Sequence, residues 1–130
     1  MSKTQLVASK GAQIEVVTYG KSAVKGPSSI VAVACGGNNV LARLSGPVVE
    51  MQMRGYGTST ADTRSRSAKN VTLADYVGDI SSVLDHFRLD RAVLLGYSHG
   101  GFFTTAYAIA NPERIAGLIL VEPEIGRAHV

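Results

Sequence analysis

The segment Val93–Gly101 reads VLLGYSHGG and is the stretch that decides the fold. Its first residues are apolar without polar alternation, which predicts a strand covered on both faces. The next five, GYSHG at Gly96–Gly100, fit the pattern G-x-S-x-G. His99–Ala110 then predicts a helix, which Asn111-Pro112 ends. The serine is therefore expected at a tight strand-to-helix turn, where glycines without Cβ atoms let the two elements approach closely.

Five other segments predict strands around this turn. Ile30–Ala34 and Val48–Met53 upstream and Ile115–Val121 downstream are apolar runs typical of buried strands. Gln13–Tyr19 is bounded by glycines and predicts a strand that pairs with Leu6–Ala8 in an antiparallel entry hairpin.

One long helix is predicted between the second and third buried strands. Thr72 followed by Asp75 is typical of an N-terminal capping pair. Apolar side chains then recur at helical spacing at Leu73, Tyr76, Val77, Ile80, Leu84 and Phe87. The alternation of strands and helices predicts an α/β fold with a doubly wound, mostly parallel sheet and right-handed crossovers.

Composition excludes several classes of protein. Of the 130 residues, 45% are hydrophobic and 18% charged, which fits one globular domain. The net charge of +3 is dispersed, and its densest basic stretch, Arg64–Lys69, is predicted to be a solvated loop, so we expect no nucleic-acid partner. Cys35 is the only cysteine, and no residues have metal-ligand spacing, so no disulfide, metal or cofactor is expected. Without an apolar span, we expect no membrane association and a cytoplasmic location.

Ser98 is the candidate nucleophile. A serine hydroxyl needs a base to remove its proton, so the turn supplies placement but not activation. The His99 backbone N–H begins a helix and can face a developing oxyanion. Gly37, with Asn38 as the next choice, is predicted to supply the second donor from the loop after Ile30–Ala34.

Four motifs together resemble the α/β-hydrolase superfamily over about residues 13–123: Arg54–Ser59, Leu73–Tyr76, Gly96–Gly101 and Asn111–Arg114. The resemblance implies a truncated α/β-hydrolase core and a serine hydrolase acting on a small ester or related acyl substrate. In that family's pattern the serine attacks the acyl carbon, a histidine acts as base and an acid orients the histidine. Carried over by motif, Ser98 is the nucleophile, while His99 and Gly37 contribute backbone N–H groups to the oxyanion hole.

The sequence departs from the family pattern at several positions. Cys35 stands where the family usually has the histidine of a His-Gly pair, and Gln52 stands where an aspartate commonly precedes Arg-Gly. The family's acid and histidine normally come later in the chain. Glu122 is a candidate acid, although the alternative that it only ends the strand is favoured. None of the histidines, His86, His99 and His129, is predicted to be the base.

The last seven residues, EIGRAHV at 124–130, differ in character from what precedes them. They match one reading frame of a common short-read sequencing adapter. We therefore expect residues 1–123 to be the N-terminal part of an α/β-hydrolase domain and residues 124–130 to be a non-native tail. On this interpretation the chain is an inactive piece of an enzyme, and its oligomeric state stays open. We also expect the strand Ile115–Val121 to be left as an uncovered edge in this chain.

The same sequence features are compatible with other functions. The main alternative is a non-catalytic protein of the same fold that binds a ligand. Transferase, perhydrolase and carbon–carbon hydrolase chemistry use the same turn and stay open, whereas Ser98 disfavours an Asp-nucleophile dehalogenase or epoxide hydrolase. Gly55-Tyr56-Gly57 suggests a nucleotide site, but Thr60 stands where that motif needs glycine.

Overall fold

The computed structural model describes residues 2–19, 24–34, 47–55, 60–61 and 71–121. The elements in chain order are β1 (Ser2–Ser9), β2 (Ala12–Tyr19), β3 (Ile30–Ala34), β4 (Val48–Gln52), β5 (Thr60–Ala61), α1 (Leu73–His86), β6 (Ala92–Tyr97), α2 (His99–Ala110) and β7 (Ile115–Val121). A single 3-10 turn, Pro112–Arg114, joins α2 to β7.

The strands form one sheet in the order β1-β2-β4-β3-β6-β7, with the two-residue β5 paired to β2. β4, β3, β6 and β7 are mutually parallel, whereas β1 and β2 form an antiparallel hairpin that joins β4 antiparallel. The predicted α/β class and mostly parallel sheet are thus confirmed. The hairpin is longer than the sequence indicated, since β1 extends over eight residues.

Both helices pack on the same face of the sheet. Residues of each helix belong to one hydrophobic cluster, and the strand residues in that cluster all point to one side of the sheet. Val31, Val49 and Leu94 contribute from three neighbouring strands, and Ile80 and Tyr107 contribute from α1 and α2. All five side chains are fully buried.

In the described part of the chain, neither helix is long and apolar enough to cross a membrane.

Helix α1 begins as the sequence predicts. The Thr72 hydroxyl accepts a hydrogen bond from the Asp75 backbone N–H at 3.2 Å, and the Asp75 carboxylate accepts one from the Thr72 backbone N–H at 2.9 Å. This reciprocal capping box satisfies two backbone donors that the first turn leaves free. The apolar face differs from the prediction at its start, because Leu73 lies in the first turn and is exposed.

A buried ion pair ties α1 to the sheet. The Arg54 guanidinium, just after β4, donates from Nε and from a terminal nitrogen to the two Asp79 carboxylate oxygens at 2.8 and 2.7 Å. The same terminal nitrogen also donates to the Lys10 carbonyl oxygen at 2.9 Å. The Ser9 hydroxyl donates to Asp79 at 2.6 Å. This network fixes the β1–β2 turn, the end of β4 and the middle of α1 relative to one another.

Strand β7 has the predicted bounds, and among the described residues it lies at an uncovered edge of the sheet, as predicted. Leu118, Ile119, Leu120 and Val121 are between 37% and 41% exposed. An apolar run without alternation is typical of a strand that is packed on both faces. The pattern does not show which residues pack against it. Beyond β7, the described residues provide no further strand to pair with it.

Candidate active site

Ser98 lies between the end of β6 and the first residue of α2, at the carboxyl end of the parallel strands. Its backbone has φ 54° and ψ −119°, a combination that side chains rarely adopt because the Cβ atom meets neighbouring backbone atoms. Although Ser98 occupies the N-cap position, its hydroxyl makes no capping hydrogen bond. The hydroxyl is therefore not committed to the helix and remains available for a reacting group.

Gly96 makes this sharp turn possible. A Cβ atom at this position would collide with the Thr104 hydroxyl and would lie 2.6 Å from the Gly101 Cα and 2.8 Å from the Gly100 carbonyl oxygen. Side-chain movement could relieve only the first of these contacts, since the other two involve backbone of α2. The sequence expectation that Gly96 permits a close approach of strand and helix is confirmed.

Backbone hydrogen bonds hold the turn on both sides. The Ser98 N–H donates to the Val121 carbonyl oxygen at 3.1 Å, which fixes the turn against the end of β7. The Ser98 carbonyl oxygen accepts from the Gly101 N–H at 2.9 Å, which begins α2. An unfavourable backbone conformation persists only when the surrounding structure holds it in place, and these two hydrogen bonds do so at Ser98.

The predicted oxyanion donors can be located only in part. His99 is the first residue of α2, where its backbone N–H shares the partial positive charge of the helix N-terminus. Gly37 and Asn38, together with Cys35, lie outside the described residues, as do the candidate acid Glu122 and the whole of residues 124–130. The roles assigned to them stay predictions.

Neither described histidine has the position of a base for Ser98. His86 is the last residue of α1 and therefore lies near the start of β6. The six residues of β6 separate that end of the sheet from Ser98 by about 20 Å. His99 is adjacent to Ser98 in the chain, and side chains of consecutive residues in a helical turn do not face each other. His129 lies outside the described residues.

Glu50 is an unusual residue that the sequence analysis did not single out. It lies in the middle of β4 and is buried, and its Oε2 atom has no hydrogen-bond partner among the described residues. Burial, followed by the charge of Glu15, raises the pKa of the Glu50 carboxyl to about 7. The signal was a single acidic residue within an apolar strand, Val-Val-Glu-Met-Gln. Gln52, at the position where the family commonly has an aspartate, is also buried.

Glu50 faces away from the two helices. Its neighbours Val49 and Met51 belong to the helix-facing core, so the alternation of a strand directs Glu50 to the opposite face, together with Glu15, Tyr19 and Gln52. Burial, then Glu50 and Glu15, raises the pKa of the Tyr19 hydroxyl.

Among the described residues, no group of three or more histidine, cysteine or acidic side chains could hold a metal ion.

The chain is similar in sequence to several curated proteins. It is 36% identical over 77 residues to the 1-acylglycerol-3-phosphate O-acyltransferase ABHD5 of Rattus norvegicus, a match covering 59% of this chain and 22% of the relative. It is 36% identical over 69 residues to the (Lyso)-N-acylphosphatidylethanolamine lipase of Mus musculus, covering 53% of this chain and 20% of the relative. The matched regions thus span about a fifth of these relatives.

Solved structures share the fold. Naproxen esterase from Bacillus subtilis superposes with a TM-score of 0.74 at 18% identity, over 95% of this chain and 44% of the esterase. The haloalkane dehalogenase DatA from Agrobacterium tumefaciens C58 gives a TM-score of 0.70 at 24% identity, over 94% of this chain and 41% of the dehalogenase. The family model for the alpha/beta hydrolase fold matches residues 36–130. This chain therefore belongs to the alpha/beta hydrolase fold family.

Proposed function

We propose that this chain carries the nucleophile of a serine hydrolase that acts on a small ester or a related acyl compound. The backbone of Ser98 supports the proposal most directly. It combines a positive φ with a hydroxyl that does not cap α2, at the junction of a parallel strand and a helix. A serine that only began a helix would have extended backbone and would cap it with its side chain.

The proposed reaction begins when a base removes the Ser98 proton and the Ser98 Oγ attacks the acyl carbon of the substrate. A covalent acyl-serine forms, the alcohol leaves with a proton from the base, and water then releases the acid. Negative charge that develops on the carbonyl oxygen would be stabilised by the His99 backbone N–H, with Gly37 as the second donor. The base and the acid that orients it are proposed to come from residues of the complete protein outside those described.

The names of the relatives support acyl chemistry. An acyltransferase and a lipase are among the proteins most similar to this chain, and each name describes transfer or cleavage of an acyl group. Epoxide hydrolase 4 of Mus musculus is also similar, at 35% identity over 74 residues. Ser98, in place of an aspartate nucleophile, favours acyl transfer to serine over the epoxide reaction.

A non-catalytic protein of the same fold that binds an acyl ligand is the second candidate. The observation that favours it is the arrangement of the two described histidines, since neither His86 nor His99 is positioned to activate Ser98. Such a protein would retain the turn but would have no turnover.

Hydrolysis of p-nitrophenyl acetate and butyrate by the complete product of the gene tests the two candidates. We expect turnover that Ser98→Ala reduces by at least about a thousandfold, because the covalent route is lost. The 130-residue chain should hydrolyse these esters no faster than its own Ser98→Ala variant does. Ester binding by the complete protein without turnover would instead support the non-catalytic candidate. Robust turnover by the 130-residue chain would show that the assignment of the histidines is wrong.

A further inference from the structure

A small cavity lies at the end of the sheet opposite Ser98. Its volume is about 270 Å³, and its lining residues are Gly26, Pro27, Arg88, Asp90 and Arg91. These residues precede β3 and β6, and because the two strands are parallel their amino ends lie at the same edge. The length of β6 separates this edge from Ser98 by about 20 Å. The cavity is therefore distinct from the candidate active site.

Arg88 has an unfavourable backbone conformation just after α1, with φ 55°. Its N–H donates to the Asp85 carbonyl oxygen at 3.0 Å, and the Leu89 N–H donates to the Leu84 carbonyl oxygen at 2.9 Å. These two bonds form a Schellman motif, in which the left-handed position is most often glycine because glycine has no Cβ atom. An arginine at this position costs stability that glycine would not, which indicates a role for its side chain.

The charges of the two cavity arginines are not balanced by a carboxylate among the described residues, where the ion pairs join other side chains. Both arginines are exposed. Arg91 donates one long hydrogen bond, at 3.4 Å, to the Ile115 carbonyl oxygen. Asp90 lines the same cavity but lies beyond ion-pair distance of Arg88 and Arg91. Both guanidinium groups are therefore available to a bound anion.

Hydrogen bonds hold the backbone on both sides of the cavity. The Ser29 N–H donates to the Gly26 carbonyl oxygen at 3.2 Å, and the Ser29 carbonyl oxygen accepts from the Val93 N–H at 2.9 Å, which ties the turn before β3 to β6. On the other side, Arg114 donates to the Leu89 carbonyl oxygen at 2.6 Å. Binding in the cavity would therefore require little ordering of the backbone.

We propose that this cavity binds the phosphate group of a small phosphorylated compound through the guanidinium groups of Arg88 and Arg91. A phosphate monoester carries close to two negative charges and three terminal oxygens, so it can accept hydrogen bonds from both arginines. A carboxylate carries one charge and is matched by a single guanidinium.

The size and the acid of the cavity narrow the class of ligand. The volume is below the roughly 300 to 1,000 Å³ that is typical of ligand pockets, which favours a small compound. The Asp90 carboxylate repels a phosphate but accepts a hydrogen bond from a hydroxyl group. A phosphate ester with a neighbouring hydroxyl, such as glycerol phosphate, satisfies both arginines and Asp90.

Isothermal titration calorimetry of the complete gene product with glycerol phosphate, at constant ionic strength, tests the site. We expect saturable binding that Arg88→Gln and Arg91→Gln each weaken at least about tenfold, because each removes charge-assisted hydrogen bonds. Lys3→Gln is the matched control, since it removes one exposed positive charge on β1 and should leave the affinity unchanged. Ser98→Ala should also leave the affinity unchanged, because Ser98 lies at the other end of the sheet.

Two further ligands test the chemical class. Succinate carries its two charges on separate carboxylates and should bind at least about tenfold more weakly than glycerol phosphate. Inorganic phosphate should bind to Asp90→Asn more tightly than to the parent, because the substitution removes a like charge from the cavity.

The backbone of Arg88 gives a readout that does not depend on binding. Arg88→Gly and Arg88→Gln both remove the guanidinium and should both lose affinity for glycerol phosphate. Only glycine relieves the positive φ, so Arg88→Gly should unfold at a higher temperature than Arg88→Gln. Thermal unfolding followed by circular dichroism measures the difference and confirms that each variant is folded.

Several outcomes would overturn the proposal. The first is a parent protein without saturable binding of glycerol phosphate. The second is equal weakening by Lys3→Gln and Arg88→Gln, which would mean that the anion responds only to net charge. The third is loss of binding in Ser98→Ala, which would place the phosphate in the active site. Succinate that binds as tightly as glycerol phosphate would exclude phosphate as the recognised group.

Discussion

Gly96 and Thr104 lie so close that a methyl group on Gly96 would collide with the Thr104 hydroxyl. This relationship sets the distance between the end of β6 and α2, and therefore the position of Ser98 between them. The same added atom would lie 2.6 Å from the Gly101 Cα, so a smaller side chain at 104 would not remove the conflict. The turn depends on the absence of a side chain at Gly96.

Gly96→Ala should therefore destabilise the protein by about 3 kcal/mol, near the upper end of what overpacking costs. Urea denaturation measures the effect. Gly78→Ala is the control, because a Cβ atom there meets nothing within 4 Å in the middle of α1. It should raise the free energy of unfolding by about 0.5 to 1 kcal/mol through helix propensity. Similar effects of the two substitutions would contradict the close approach.

The strained backbone of Ser98 predicts an unusual order of stability among its variants. Ser98→Gly should be more stable than Ser98→Ala by about 1 kcal/mol, because glycine adopts a positive φ without a Cβ penalty. Both variants remove the hydroxyl, so the comparison isolates the backbone. Thermal or urea unfolding of the two proteins measures it. An alanine variant as stable as the glycine variant would show that Ser98 is unstrained in solution.

The buried pair of Arg54 and Asp79 should contribute far more than the exposed pair of Arg114 and Asp85. Asp79→Asn leaves the Arg54 charge buried without a counterion and should cost about 3 to 5 kcal/mol. Asp85→Asn removes a carboxylate that is 68% exposed and should cost less than about 1 kcal/mol. Chemical denaturation at pH 7 measures both. Equal losses would mean that the Arg54–Asp79 pair is not buried in solution.

Glu50 should make the protein less stable as the pH rises. Its pKa is raised to about 7 in the folded state from an ordinary value of 4.5, so the folded state holds the proton more tightly than the unfolded state. The contribution is fully present below about pH 4.5 and is lost between there and about pH 7. The loss amounts to about 3 kcal/mol.

Glu50→Gln should consequently be more stable than the parent at pH 8 and should lack this loss. The difference in unfolding free energy between the two proteins, measured from pH 4 to pH 8, isolates Glu50 from other groups. Asp75, whose pKa is lowered first by its bond to the Thr72 backbone, acts in the opposite direction and cancels in the difference. Glu113→Gln, on the exposed 3-10 turn, is the control. A pH-independent difference for Glu50→Gln would contradict the buried carboxyl.

Local patterns in the sequence predicted the elements near the candidate site well. Both bounds of α2 follow from the glycine turn before it and from Asn111-Pro112 after it, and the Thr72 cap follows from residues three positions apart. The strand β7 was also located correctly. These features depend on residues close together in the chain, which is where sequence patterns carry information.

The features that the sequence did not predict depend on distant residues. Arg54 and Asp79 are 25 positions apart, and only the packing of α1 on the sheet brings them together. Glu50 stands out in the sequence as an acid in an apolar strand. That its Oε2 atom has no hydrogen-bond partner among the described residues follows only from the three-dimensional arrangement of its neighbours.

Identifying the residue that a fluorophosphonate probe modifies tests the central proposal most directly. The complete gene product is labelled, digested and analysed by tandem mass spectrometry. We expect a phosphonate adduct on Ser98 and no labelling of the Ser98→Ala variant. An adduct on a different residue, or undiminished labelling of Ser98→Ala, would contradict it.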